Sequence, residues 1–114
     1  MMNKVNKELK EFHRICSKYL VRDGLTNCYK TPAYDNYLGN VRVAEWSKMN
    51  SIRVAYYAKF GYEVYNQYAP YELCWHPHTT DLEKVKKEVI ELIEFVKNET
   101  VKIKKRNLEK DFVW

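Results

Sequence analysis

Residues 79 to 106 constrain the fold more than any other stretch. Leu82, Val85, Val89, Leu92, Ile93 and Val96 recur there at the three- and four-residue spacing that lines one side of an α-helix. Pro77 precedes the stretch, and Thr80 with Glu83 has the spacing of a capping box, so the helix is expected to begin there. An apolar stripe of this length has to be buried against another element. The 85, 89, 92, 96 spacing is that of a heptad seam, but Glu99 interrupts it. Packing across a sheet is therefore favoured over a long coiled coil, and a homodimer stays open. Beyond the helix, Phe112 and Trp114 are expected to dock on this chain or a second one.

A second helix is expected over residues 4 to 20. Val5, Leu9, Phe12, Cys16 and Tyr19 fall at helical spacing, and Ile15 and Leu20 widen the apolar face. Asn3 can cap its start, and Gly24 can end the exit. At 100° per residue, Lys4, Lys7, Lys10, Arg14 and Lys18 fall within about a third of the circumference, opposite that face. Residues 21 to 40 are dense in turn formers and read as an irregular connection pinned by Tyr29, Tyr34 and Tyr37, a secondary site candidate.

From residue 41 the period shortens. Val41 and Val43 alternate with Arg42, Ala44 and Trp46, as in a strand with one buried face. Residues 51 to 58 fit two forms. As a strand they bury Ile52, Val54 and Tyr56 and expose Arg53, Ala55 and Tyr57. As a helix they align Ile52, Ala55, Tyr56 and Phe60, with Gly61 at the C-cap. β-Branched and aromatic content favours the strand. A last strand turns Tyr71, Leu73 and Trp75 inward and Glu72, Cys74 and His76 outward. The expected class is α+β: an N-terminal helix, a small antiparallel sheet of three to four strands and a long C-terminal helix, in one domain spanning residues 1–114. A chain of 114 residues, 46% hydrophobic, is long enough for one core and short for two.

The three cysteines, Cys16, Cys28 and Cys74, cannot all pair within the chain, and the first residues lack the apolar run of a signal peptide or membrane span. A reduced, cytoplasmic protein is expected. The net charge of +5 is uneven, because residues 1 to 20 hold five positive and two negative charges. That bias favours an acidic partner.

Motifs for catalysis are sparse. His13, Cys16, Cys28, Cys74, His76 and His78 are zinc-ligand types, but their spacing matches no finger or knuckle, so no metal is expected. No GxSxG, Walker A or GxGxxG occurs. One stretch does resemble a known signature. Asn50, Tyr56, Tyr57, Lys59, Gly61 and Tyr62 are similar to the C-terminal motif of GCN5-related N-acetyltransferases. The resemblance implies a helix opening at Asn50, an acetyl-CoA cofactor, and Tyr57 as general acid near its thiol. The family's pyrophosphate-binding R/QxxGxG/A turn has no counterpart here.

The remaining constellation is a surface. On the strand reading, Arg42, Trp46, Arg53, Tyr57, Tyr65, Gln67 and His76 share the face away from the core, and Lys7, Arg14 and Lys18 line the first helix. Guanidinium and aromatic planes stack on bases and pair with phosphates, and they are equally favoured at protein interfaces. With helices over both sheet faces, the same tyrosines would instead be core with hydroxyls at the rim. The expectation is a non-enzymatic module, without cofactor, that contacts nucleic acid or a protein that handles it. Its role would be accessory, regulatory or inhibitory, as in a viral or mobile-element protein. The alternatives are an inhibitor that touches protein alone and a minimal acyltransferase.

Overall fold

The computed structural model describes residues 4–32, 38–47, 49–59 and 71–111. Helix α1 (Lys4–Ser17) opens the chain and helix α2 (Leu82–Asp111) closes it. Between them lie β1 (Val21–Arg22), β2 (Cys28–Lys30), β3 (Arg42–Trp46), β4 (Ile52–Lys59) and β5 (Tyr71–Trp75). The strands form one antiparallel meander in the order β1-β2-β3-β4-β5. This is the α+β class the patterning predicts, with five strands among the described residues rather than three or four.

The two extra strands lie in the segment read as irregular. Val21 pairs with Lys30 and Arg22 with Tyr29, and Tyr29 then pairs with Ala44. Both strands are too short to show alternation, and turn formers surround them. Gly24 at φ +63° makes the tip of this first hairpin, where Asp23 N–H donates to the Cys28 carbonyl at 2.9 Å. Buried Thr31 holds the β2–β3 connection, its hydroxyl donating to the Leu38 carbonyl at 2.7 Å and accepting from Val41 N–H at 3.1 Å. Asn40 and Asn50, at φ 59° and 58°, take the left-handed turn positions before β3 and β4.

Residues 52 to 59 adopt the strand form. The pairings Trp46 with Ile52, Ala44 with Val54, Ala55 with Trp75 and Tyr57 with Leu73 place β4 between β3 and β5. Ile52 and Val54 are buried as expected, but single-face alternation fails. Val43, Ala44, Val54 and Ala55 are all fully buried: at Val43 the register between β2 and β3 shifts, Tyr29 pairing with Ala44 and Lys30 with Arg42, and β4 changes partner from β3 at Val54 to β5 at Ala55, so strict alternation is broken at both places. Tyr56, expected in the core, is 40% exposed.

Phe12, Ile15, Cys16 and Leu20 of the N-terminal segment are buried, with Leu9 and Tyr19 packed at the margin. From α2, Val85, Val89, Leu92, Ile93 and Val96 enter the same core. α1 lies against β1 and β3, α2 against β4, and the two helices touch each other. The cap of α2 is Asp81 rather than Thr80: its Oδ1 accepts from Glu83 N–H at 3.1 Å and from Lys84 N–H at 3.4 Å. Glu99, expected to break the stripe, belongs to it. It is buried, with its carboxylate accepting from Tyr71 Oη at 2.7 Å and from Lys102 Nζ at 3.2 Å. Asn3, Tyr34, Tyr37, Phe60, Gly61, Tyr62, Phe112 and Trp114 lie outside the described residues.

Cys16 sits in the core and burial pushes its thiol up to about 12, whereas Cys28 and Cys74 are half-buried. Iodoacetamide is expected to label Cys28 and Cys74 in the native protein and Cys16 only after unfolding, as read by mass spectrometry. Equal native labelling of all three would contradict this packing.

Candidate functional site

The residues expected to form one basic and aromatic surface are distributed differently by the fold. Trp46 is a core residue, 9% exposed, its ring 5.9 Å from that of Phe12. It is therefore unavailable for stacking on a base, because the face of β3 on which it lies packs against α1. Arg53 pairs with Glu45 at 2.5 Å, and its guanidinium lies 4.2 Å over the Trp75 ring. Arg42 is exposed and ion-paired with Asp23. Tyr57 is half-buried, stacked on Phe95 of α2 at 6.1 Å, and its hydroxyl donates to the Leu38 carbonyl at 3.4 Å. Tyr65 and Gln67 lie outside the described residues.

Lys7 and Arg14 on α1 and Lys18 in the turn just after it are exposed as expected. Arg14 is tied to Glu11 on its own helix. Its hydrogen bond holds the Glu11 carboxyl below the usual range, with further lowering from Lys18 and from Lys86 of α2. The basic field of α1 thus continues onto the neighbouring helix. Lys7, Lys10 and Lys18 make no ion pair among the described residues.

The residues of zinc-ligand type do not converge. His13 shares a 2.6 Å hydrogen bond with Tyr29 Oη, and burial lowers its pKa, which favours the neutral imidazole. His78 bonds Ser51 Oγ at 3.0 Å, and the Cys74 thiol is directed at the Glu72 carbonyl. Among the described residues no three His, Cys, Asp or Glu side chains are grouped to hold a metal ion. The acetyltransferase resemblance implies a helix after Asn50, where the structure has strand β4. Burial pushes the Tyr57 phenol up to about 12, making it a weaker acid than an ordinary tyrosine.

Two of the expected residues, Tyr57 and His76, come together with others not anticipated from the sequence in a site between β4, the end of β5 and α2. Tyr56, Tyr57, His76, Glu88, Glu91, Leu92 and Phe95 enclose a cleft of about 210 Å³. His76 lies on Tyr56, ring centroids 4.5 Å apart, and Tyr71 packs edge-on to Phe95. Glu88 is only 5% exposed, and neither carboxylate oxygen has a hydrogen-bond partner among the described residues. Burial raises its pKa, Glu91 adds to the rise, and His76 and Lys84 oppose it. The sequence did carry a signal. Position 88 lies three residues after Val85 and four before Leu92, on the apolar stripe, where an acid is out of place.

No protein-family model matches the chain, and neither a curated protein nor a solved structure does. Among the described residues no helix is long and apolar enough to cross a membrane.

Proposed function

We propose that this domain is a binding module whose α1 face docks an acidic partner, nucleic acid first. The observation that carries the reading is the contrast among the cations. Arg14, Arg42 and Arg53 are each engaged by an acid of their own chain, whereas Lys7 and Lys10 of α1 and Lys18 in the turn after it stand exposed without an ion pair among the described residues. At 1.5 Å per residue these three lysines span about 16 Å. Duplex DNA carries roughly nine phosphates over that length. Capture would be electrostatic and indifferent to sequence, with no base-stacking platform from Trp46.

Anisotropy of a labelled duplex tests this. Three neutralised phosphates imply about a 40-fold loss of affinity between 50 and 200 mM salt. Charge reversal at Lys7, Lys10 and Lys18 together is expected to remove binding without altering the melting temperature. Absence of binding at the lowest salt would end the nucleic-acid reading.

A different observation favours a second reading, contact with protein alone. Leu25, 93% exposed, and Met49, 86% exposed, sit at the tips of the β1–β2 and β3–β4 hairpins, which the meander places at the same end of the sheet. Pull-down with wild type and with Leu25→Ser/Met49→Ser separates the two. Partners lost only by the second variant belong to the hairpin tips.

A further inference from the structure

The cleft at Glu88 is not explained by an anionic partner on α1. A buried carboxyl without a hydrogen bond is rare in a folded protein and calls for a physical reason. Its surroundings narrow the choice of ligand. Two carboxyls, Glu88 within and exposed Glu91 beside it, disfavour an anion. A metal ion lacks ligands, since His76, Glu88 and Glu91 do not form a chelating group. The volume of about 210 Å³ is below the roughly 300–1,000 Å³ of ordinary ligand pockets and suits a group the size of a side chain. The remaining walls, Leu92, Phe95 and the ring of Tyr57, are apolar.

We infer that the cleft receives an alkylammonium group, its methylene stem lying along Leu92 and Phe95 and its charged head meeting the Glu88 carboxylate, whose oxygens are sealed from solvent in the free protein and turn into the cleft on binding. An ammonium supplies both the positive charge and the N–H donors that an acceptor-only carboxylate lacks. A neutral donor would leave the buried charge uncompensated. Tyr56 and Tyr57 add ring systems that attract a cation. The groups facing Glu88 set the pH response: Lys84 and Glu91 on α2, and His76 at the end of β5. Because burial raises the Glu88 pKa, the head competes with a proton, and binding strengthens as pH rises through that titration. The inference goes beyond the polyanion reading and does not depend on it.

The test is a titration of the full chain with n-butylammonium, followed by NMR at the His76 and Tyr56 ring signals. Saturable shifts are expected in the millimolar range, with n-butanol at least about tenfold weaker. Glu88→Gln, nearly isosteric, is expected to weaken n-butylammonium at least about tenfold while keeping a native amide spectrum. Should that variant fail to fold, Glu91→Gln carries the test, with a smaller loss of several-fold and a pH dependence moved to lower pH, because Glu91 no longer adds to the rise at Glu88. Acetyl-Gly-Lys-Gly-amide distinguishes the source. Tighter binding than n-butylammonium indicates a lysine of a partner chain, and weaker binding indicates a free amine. Equal affinity for butanol, an unaffected Glu88→Gln, or silent His76 signals would overturn the proposal.

Discussion

Trp46→Ala is expected to lower the unfolding free energy by about 3–5 kcal/mol, the usual cost of removing a large aromatic side chain from a packed core. A domain of this size has roughly 5–15 kcal/mol in total, so much of the protein would unfold near physiological temperature. Trp46 closes the core where α1 meets the sheet. It pairs with Ile52 across β3–β4, its ring meets Phe12, and Phe12 in turn meets Tyr29 edge-on at 5.6 Å. Its indole N–H is directed at Asn50 Oδ1, 3.4 Å away, which ties the core to the left-handed turn of the hairpin. Trp46→Phe keeps most of the ring burial and loses that polar contact, so a cost of about 1–2 kcal/mol is expected. Urea denaturation followed by circular dichroism measures both. An unchanged midpoint for Trp46→Ala would return Trp46 to the surface and restore it as a contact residue.

That result would also mark where sequence reading reached its limit. The helices were legible because their stripes repeat over many turns. Phe12, Cys16, Val85, Val89 and Val96 occupy the core that their spacing implied. Strand β4 was legible from its β-branched and aromatic content. The side assignments were not, because alternation reports a face only while the pairing register holds, and a bulge or a change of partner strand cannot be seen along the chain. Ala44 and Trp46 pair with the core residues Val54 and Ile52, and Val43 is buried beside them at the register shift against β2, so counting parity from Val43 places Trp46 outside although it lies inside. The charged residues are hidden from the sequence for a different reason. Arg42 and Arg53 find Asp23 and Glu45 across strands, pairings that depend on register and cannot be read along the chain. The cleft shows the reverse case. Glu88 is visible at a core position of α2, but its meaning depends on Tyr56 and His76, brought there by the β4–β5 pairing of Tyr56 with Cys74.

Glu88→Leu is expected to stabilise the domain at pH 7 by about 1–3 kcal/mol, the penalty of a buried polar group left without a partner. That is a rise of about 4–12 °C in melting temperature for a chain of this length. Replacing a charge on the core face of α2 with an apolar helix former removes the desolvation cost and continues the stripe formed by Val85 and Leu92. The pH dependence identifies the cause. Burial raises the folded-state pKa of Glu88 above its ordinary 4.5, so the unfolded chain releases this proton first. The stability this gives is fully present below the unfolded value and is lost as pH rises through the folded one. The gap between variant and wild type should therefore be small at pH 4 and should open towards pH 7. Exposed pairs such as Glu11 with Arg14 and Asp23 with Arg42 have the opposite sign, since their lowered carboxyl pKa values favour the fold at higher pH. They are present in both proteins and cancel in the difference. Melting curves across pH 4–8 read this directly, and a gap independent of pH would show that the gain came from packing. If the gap does open and Glu88→Leu also loses n-butylammonium, the carboxyl lowers the stability of the free protein and is required for the ligand. A destabilising acid would then sit in the core because of what it binds.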